Sequence, residues 1–208
     1  MAAVFRQYTG NLITLGEAIG QIRQLLPEPI TPDHMDAYLD ESFTTYTGVP
    51  ELIEWCASNS ILFMINTTGM IGYFQRILAK GLLPPVPVVS AHPMISYPQN
   101  TGVSCRVYEL LEIQDKSKNT GAVARSQAIP AAKIILLGDS GGDGPHFEWG
   151  AAAGAYLIGS MAKPTWRTKG FAGAELNADD LAYAEKWAKI LDLDYPALEK
   201  VLKGNDPD

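Results

Sequence analysis

The chain predicts a single α/β domain over residues 1–208, a Rossmann-like parallel sheet with helices on both faces and a small helical insertion. Three observations carry this. Ile134 to Leu137 are four consecutive aliphatic residues, the continuous apolar character of a strand covered on both faces. Ser60-Ile-Leu-Phe-Met-Ile65 is a second such run, followed by the polar turn Asn66-Thr67-Thr68-Gly69 and a helical stretch from Met70 to Ala79. Repeated strand–turn–helix units imply parallel strands joined by right-handed crossovers.

The elements follow in order. Ala2-Ala-Val-Phe5 predicts a short first strand, ending in Arg6-Gln7-Tyr8-Thr9-Gly10. Leu15 to Leu26 has helical periodicity through Ile19, Ile22 and Leu25. Thr31 is the expected N-cap of a second helix, with Pro32 at its first position and Met35, Tyr38 and Leu39 on one face. These two helices make residues 15–47 the expected insertion, a small cap or lid. Pro50 opens a helix with Leu52, Ile53, Trp55 and Cys56 as its apolar stripe. Val86 to His92 and Ser104 to Ile113 read as strands, joined by a loop or broad hairpin. A polar connection, Gln114 to Gly121, precedes a helix from Ala122 to Ile129. After Leu137 come a helix from Phe147, a short strand Tyr156-Leu-Ile-Gly159, a helix capped by Asn177 and running to Leu191, and a final short helix from Tyr195.

Composition narrows the function. The net charge of −7, with no Lys/Arg-rich run, argues against a nucleic-acid or anionic-membrane surface. Cys56 and Cys105 form no CxxC pair and read as reduced thiols, and no apolar run reaches about 20 residues. A cytoplasmic location is the expectation.

The sharpest chemical signal is the glycine-rich turn Gly138-Asp139-Ser-Gly-Gly-Asp143, placed at the carboxyl end of a parallel strand, where open α/β sheets bind ligands. Two carboxylates there suit a hard cation, Mg²⁺ before Zn²⁺. Gly141 and Gly142 are able to cradle a phosphate with backbone N–H groups. Asp139 as a simple helix cap is the plain alternative. His146 and Glu148 stand near Asp143 as weaker candidate metal ligands. The four tryptophans, Trp55, Trp149, Trp166 and Trp187, read as packing residues.

Over residues 2–160 this order resembles the haloacid dehalogenase-like hydrolases, in particular their phosphoserine and methionine-salvage phosphatase branch. Leu136-Leu-Gly-Asp139-Ser-Gly-Gly-Asp143 is similar to the fourth family motif, GDxxxD after a strand. Phe63-Met-Ile-Asn-Thr67-Thr68-Gly69 is similar to the second, a strand ending in Thr or Ser, and the preceding Thr47-Gly-Val-Pro-Glu-Leu-Ile-Glu-Trp-Cys resembles the helix leading into it. The resemblance implies a third-motif lysine that steadies the phosphoryl group: Lys118 or Lys116, with Lys133 ranked behind them. It also implies Mg²⁺ on Asp139 and Asp143. The first motif, DxDGT, is where the sequence departs. The resemblance puts Gln7 in place of the nucleophilic aspartate and Thr9 in place of the acid. An amide is a poor nucleophile toward phosphorus, and a threonine hydroxyl is a poor acid at neutral pH.

Three functions follow as expectations. One is a catalytically impaired protein that binds a phosphorylated small molecule or anion. Another is a Mg²⁺-dependent phosphomonoester hydrolase using a metal-bound water at Asp139 and Asp143. The third is a protein-interaction module on the same scaffold. The string Gly138-Asp-Ser-Gly-Gly142 also spells a serine-protease motif, with Ser140 and His92 as a relay. Alternating strands and helices, with only two cysteines, reject that reading.

Overall fold

A computed structural model of the chain describes residues 1–9, 12–46, 48–98, 105–138, 143–159 and Pro196. It is α/β throughout, with parallel strands, and divides into two compact units, residues 1–119 and 120–208.

The first unit opens with helices α1 (Ala2–Thr9), α2 (Leu15–Leu25), α3 (Pro32–Ser42) and α4 (Val49–Ser58). Strand β1 (Met64–Met70), helix α5 (Ile71–Ala79) and strands β2 (Val88–His92) and β3 (Arg106–Glu109) follow. Helix α6 (Asp115–Ser126) begins in this unit. The strand expected at residues 2–5 is a helix instead. Val4 is buried and Tyr8, one turn later, packs against Leu15, Ile19 and Leu110, a helical spacing that strand alternation does not produce. Gln7 therefore lies on an exposed helical surface and Thr9 in the last turn of α1, not at the end of a strand.

The two helices that follow start as the sequence predicts. Thr14 and Glu17 close a capping box on α2, and Thr31 and His34 close one on α3, with Pro32 in its first turn. On α3, Met35 and Leu39 enter the main core with Ile53, Ile71, Ile77, Leu78, Val86 and Val89. Burial of each large aliphatic side chain there contributes roughly 1.5–3 kcal/mol. Arg76 on α5 grips Asp36 on α3 with two parallel hydrogen bonds of 2.7 and 2.6 Å, and Lys80 reaches Asp40 at 2.8 Å. On α4 the expected stripe is narrower: Ile53 and Cys56 are buried, whereas Leu52 and Trp55 face solvent, so Trp55 is not a core residue of the described structure.

The sheet order is β1-β2-β3, both ladders parallel. A hairpin joins antiparallel strands, so the hairpin alternative for the connection between the two strands, residues 93–103, does not hold. Instead the chain returns past the start of α5. Gly72 N–H donates to the Ile95 carbonyl at 2.7 Å, and a Cβ at Gly72 would stand 2.7 Å from Ile95 and 2.9 Å from Tyr97. Only glycine admits that approach.

Helix α6 starts seven residues earlier than the sequence suggested, taking in the supposed polar connection. The Asp115 carboxylate holds its first turn, accepting from the N–H groups of Leu111 and Glu112 at 3.0 and 2.9 Å.

In the second unit, strand β4 (Ile135–Gly138), helix α7 (Gly144–Ala153) and strand β5 (Tyr156–Gly159) form a β–α–β element with a parallel ladder. Leu136 and Leu157 pack under α7, where Gly150 lets them approach and Phe147 fills the space. The other side of β4 is exposed, not covered as its apolar run predicts. The helices expected at 177–191 and from Tyr195, together with Trp166 and Trp187, lie outside the described residues.

Candidate functional site

In the first unit the candidate site forms where β1 and β2 end. β1 pairs regularly through Met64, Ile65 and Asn66 with Val88, Val89 and Ser90, and next through Met70 with His92, so β1 takes four steps where β2 takes two. Thr67, Thr68 and Gly69 thus stand against Ala91 alone, two residues more than a regular ladder holds, and make a bulge. Bulges re-aim side chains and recur beside functional sites. Within it, Thr67 Oγ1 accepts from Gly69 N–H at 3.1 Å, a local turn that leaves the hydroxyl proton able to donate.

The start of α6 is tied to the same place. Asn66 Nδ2 donates to the Lys116 carbonyl at 2.9 Å. Asn119 Nδ2 donates to Ser90 Oγ and to the Glu109 carbonyl, at 2.9 and 2.8 Å. Two amides on or against the helix thus fix it to β1, β2 and β3. Lys116 is buried, while Lys118 points to solvent and pairs with Asp115 at 2.7 Å. Of the two lysines, Lys116 is thus the enclosed one and Lys118 the exposed one. Lys116, Thr120 and Val123 are all buried and recur at i, i+4 and i+7, a signal present in the sequence once α6 is taken to start at Asp115. Burial would push the Asp115 carboxyl up, but Lys118 and the Glu112 and Leu111 N–H groups hold it below the usual aspartate value.

His92, at the end of β2, is a site residue the sequence did not single out for this role. Its Nδ1 accepts from Met94 N–H at 3.0 Å, which leaves the proton of the neutral ring on Nε2. Burial pushes its pKa down, against the opposing pull of Glu112 and Glu109.

A cavity of about 340 Å³ in the same unit is lined by Tyr8, Leu12, Thr14, Glu17 and Glu112 among others. Its carboxylates already accept from Gly16 and Thr14 N–H at the start of α2, which makes it hostile to a phosphate.

In the second unit, Asp143 is buried at the start of α7, and its side chain lies on Gly138: a Cβ there would meet Asp143 Cβ at 2.8 Å and Cγ at 2.9 Å. That contact gives the glycine before Asp139 a packing reason. Asp139, Ser140, Gly141 and Gly142 lie outside the described residues. His146 is buried, sharing a 2.9 Å hydrogen bond with Thr120 Oγ1 and stacking on Trp149, a packing role. Glu148 sits beyond it on α7. Among the described residues no group of three His, Cys, Asp or Glu comes together. Of the two aspartates expected to hold Mg²⁺, Asp143 alone lies among the described residues.

The chain is 29% identical over 86 residues to the 2-hydroxy-3-keto-5-methylthiopentenyl-1-phosphate phosphatase of Brevibacillus brevis. The match covers 41% of this chain and 38% of that relative, so less than half of the phosphatase is represented. No family model and no solved structure matches the chain. The similarity supports a distant haloacid dehalogenase-like relationship. No helix among the described residues is long and apolar enough to cross a membrane.

Proposed function

We propose that the chain binds a phosphomonoester or a free phosphate group where β1 and β2 end, as a distant haloacid dehalogenase-like phosphatase relative. The observation that supports this most is the attachment of the Lys116 turn to the threonine bulge through Asn66 at 2.9 Å. A lysine supplies the charge a phosphate needs, and threonine hydroxyls and turn N–H groups supply donors. In a chain of net charge −7, a local cation is needed to draw in an anion.

Binding, not turnover, is the activity proposed. Neither β1 nor β2 ends in a carboxylate able to attack phosphorus. Gln7 and Thr9, which the resemblance puts at the positions of the nucleophile and the acid, lie on helix α1 and not at a strand end.

The test is calorimetric titration of the chain with inorganic phosphate and with small phosphomonoesters, with and without Mg²⁺, followed by assay of phosphate release. Saturable binding is expected, weakened about tenfold or more by Lys116→Ala through loss of a charge-assisted hydrogen bond, and unchanged by Lys118→Ala. Absence of binding, or equal effects of the two lysine variants, overturns the proposal. Phosphate release that survives purification and disappears in Asp143→Asn supports the hydrolase reading instead.

A further inference from the structure

Asn119 is the side chain through which α6 meets two strands at once. Its Nδ2 donates to Ser90 Oγ on β2 at 2.9 Å and to the Glu109 carbonyl at the end of β3 at 2.8 Å, one N–H of the amide for each acceptor. Ser90 is fully enclosed, and it stands opposite Asn66 in the β1–β2 register, where partners project to the same face of the sheet. From that level Asn66 Nδ2 reaches the Lys116 carbonyl at 2.9 Å. One amide thus runs from sheet to helix and the other from helix to sheet, gripping α6 at Lys116 and again one turn later. The Asp115 carboxylate bonds only to Leu111 and Glu112 N–H, beyond the end of β3, so it fixes where the helix starts and not where it docks. Asparagine is a poor residue for a helix interior, and a local rule broken inside an element points to a role beyond the element itself.

We propose that Asn119 is a positioning residue of the phosphate site: it sets where the turn carrying Lys116 stands against the strands, and so how tightly that lysine holds a phosphate. The inference rests on the phosphate reading above. Lys116 is buried, and an enclosed side chain has little rotamer freedom, so a shift of its helix turn is carried through to the ammonium group. A single bond from Asn66 would leave the turn free to pivot about the Lys116 carbonyl. The second attachment, to β2 and β3, fixes its direction as well as its place. Charge-assisted contacts to phosphate depend on such placement, because they weaken as the donor leaves hydrogen-bond distance.

A double-mutant cycle on phosphate affinity tests it. The full chain, Asn119→Leu, Lys116→Ala and the double variant are titrated with inorganic phosphate, carried high enough to read the weakened variants, and the folded fraction of each is taken from urea unfolding. Leucine is close to asparagine in size and removes both N–H donors without adding a charge. Asn119→Leu is expected to weaken phosphate binding about fivefold, on the scale of one hydrogen bond. In the Lys116→Ala background the same change is expected to alter the remaining affinity by less than about twofold, because no lysine is left to misplace. Equal losses in both backgrounds would make Asn119 a residue of stability only and overturn the proposal. Ser90→Ala covers poor folding of Asn119→Leu. It keeps the bond to the Glu109 carbonyl and is expected to weaken binding about twofold in the parent chain and to leave Lys116→Ala unchanged. Loss of affinity in Lys116→Ala, with none in Asn119→Leu or Ser90→Ala, refutes the positioning role and leaves the phosphate reading standing. A parent chain that does not bind phosphate overturns both.

Discussion

Lys116 and Lys118 are two residues apart on one helix, and a helix turns such a pair to nearly opposite sides. Lys116 is buried, its carbonyl accepting from Asn66 Nδ2, and Lys118 is held in solvent by Asp115, so their roles are separable by substitution. Gly138 and Asp143 offer a second test at this scale. The Asp143 atoms that a new Cβ would strike are Cβ and Cγ, close to the backbone, with no flexible end to swing aside. Gly138→Ala is expected to cost about 1–3 kcal/mol of stability in urea unfolding, in the range of other overpacked positions. Asp143→Gly in the same chain removes both struck atoms and is expected to recover most of that loss in a double-mutant cycle. Additive losses would mean that the two residues do not touch. The bulge, the choice of lysine and the contact on Gly138 were illegible in the sequence for a common reason. Each depends on where a second element stops or starts, which no local pattern encodes.

Among the elements, those with strong local punctuation were legible. Thr31-Pro32 and Pro50 announce helix starts, and the aliphatic runs before Asn66 and Gly138 announce strands. The failures are instructive. Ala2-Ala-Val-Phe is too short for its apolar content to separate strand from helix, and only the Val4–Tyr8 spacing against α2 decides it. The beginning of α6 is so polar that it reads as a loop, yet Asp115 anchors it and Asn119 docks it. These two differences place Gln7 on a helix and Lys118 on the exposed side of another. Within the first unit, α3 is held to α5 by a forked ion pair as well as by Met35 and Leu39. The Asp36 carboxyl is accordingly held below its ordinary value, chiefly by its hydrogen bond to Arg76. Arg76→Lys keeps the charge but loses the fork, and is expected to lower stability by about 0.5–1 kcal/mol, read from the urea midpoint. No loss would show that the apolar contacts alone secure α3.

For the molecule as a whole, the titratable groups set two separate windows of acid sensitivity. Burial holds the His92 ring below its ordinary value of 6.5, so the unfolded chain takes up a proton there before the folded chain does. Stability therefore falls as pH drops below about 6.5 and levels off once the folded ring protonates as well. Asp36 and Asp115 act in the same sense but at lower pH: both are held below 3.8, so their contribution is intact above that value and disappears only as pH falls through their folded values. Urea midpoints measured from pH 7.5 down to about 3 are expected to decline in two stages with a shoulder between them. His92→Asn keeps an acceptor for Met94 N–H but cannot titrate, so it is expected to flatten the upper stage and leave the lower one in place. Arg76→Lys is expected to do the reverse, because weakening the fork returns Asp36 toward its ordinary value. A decline between pH 7 and 5 that persists in His92→Asn would place the upper window on some other group and remove the argument that this ring is buried neutral at the end of β2.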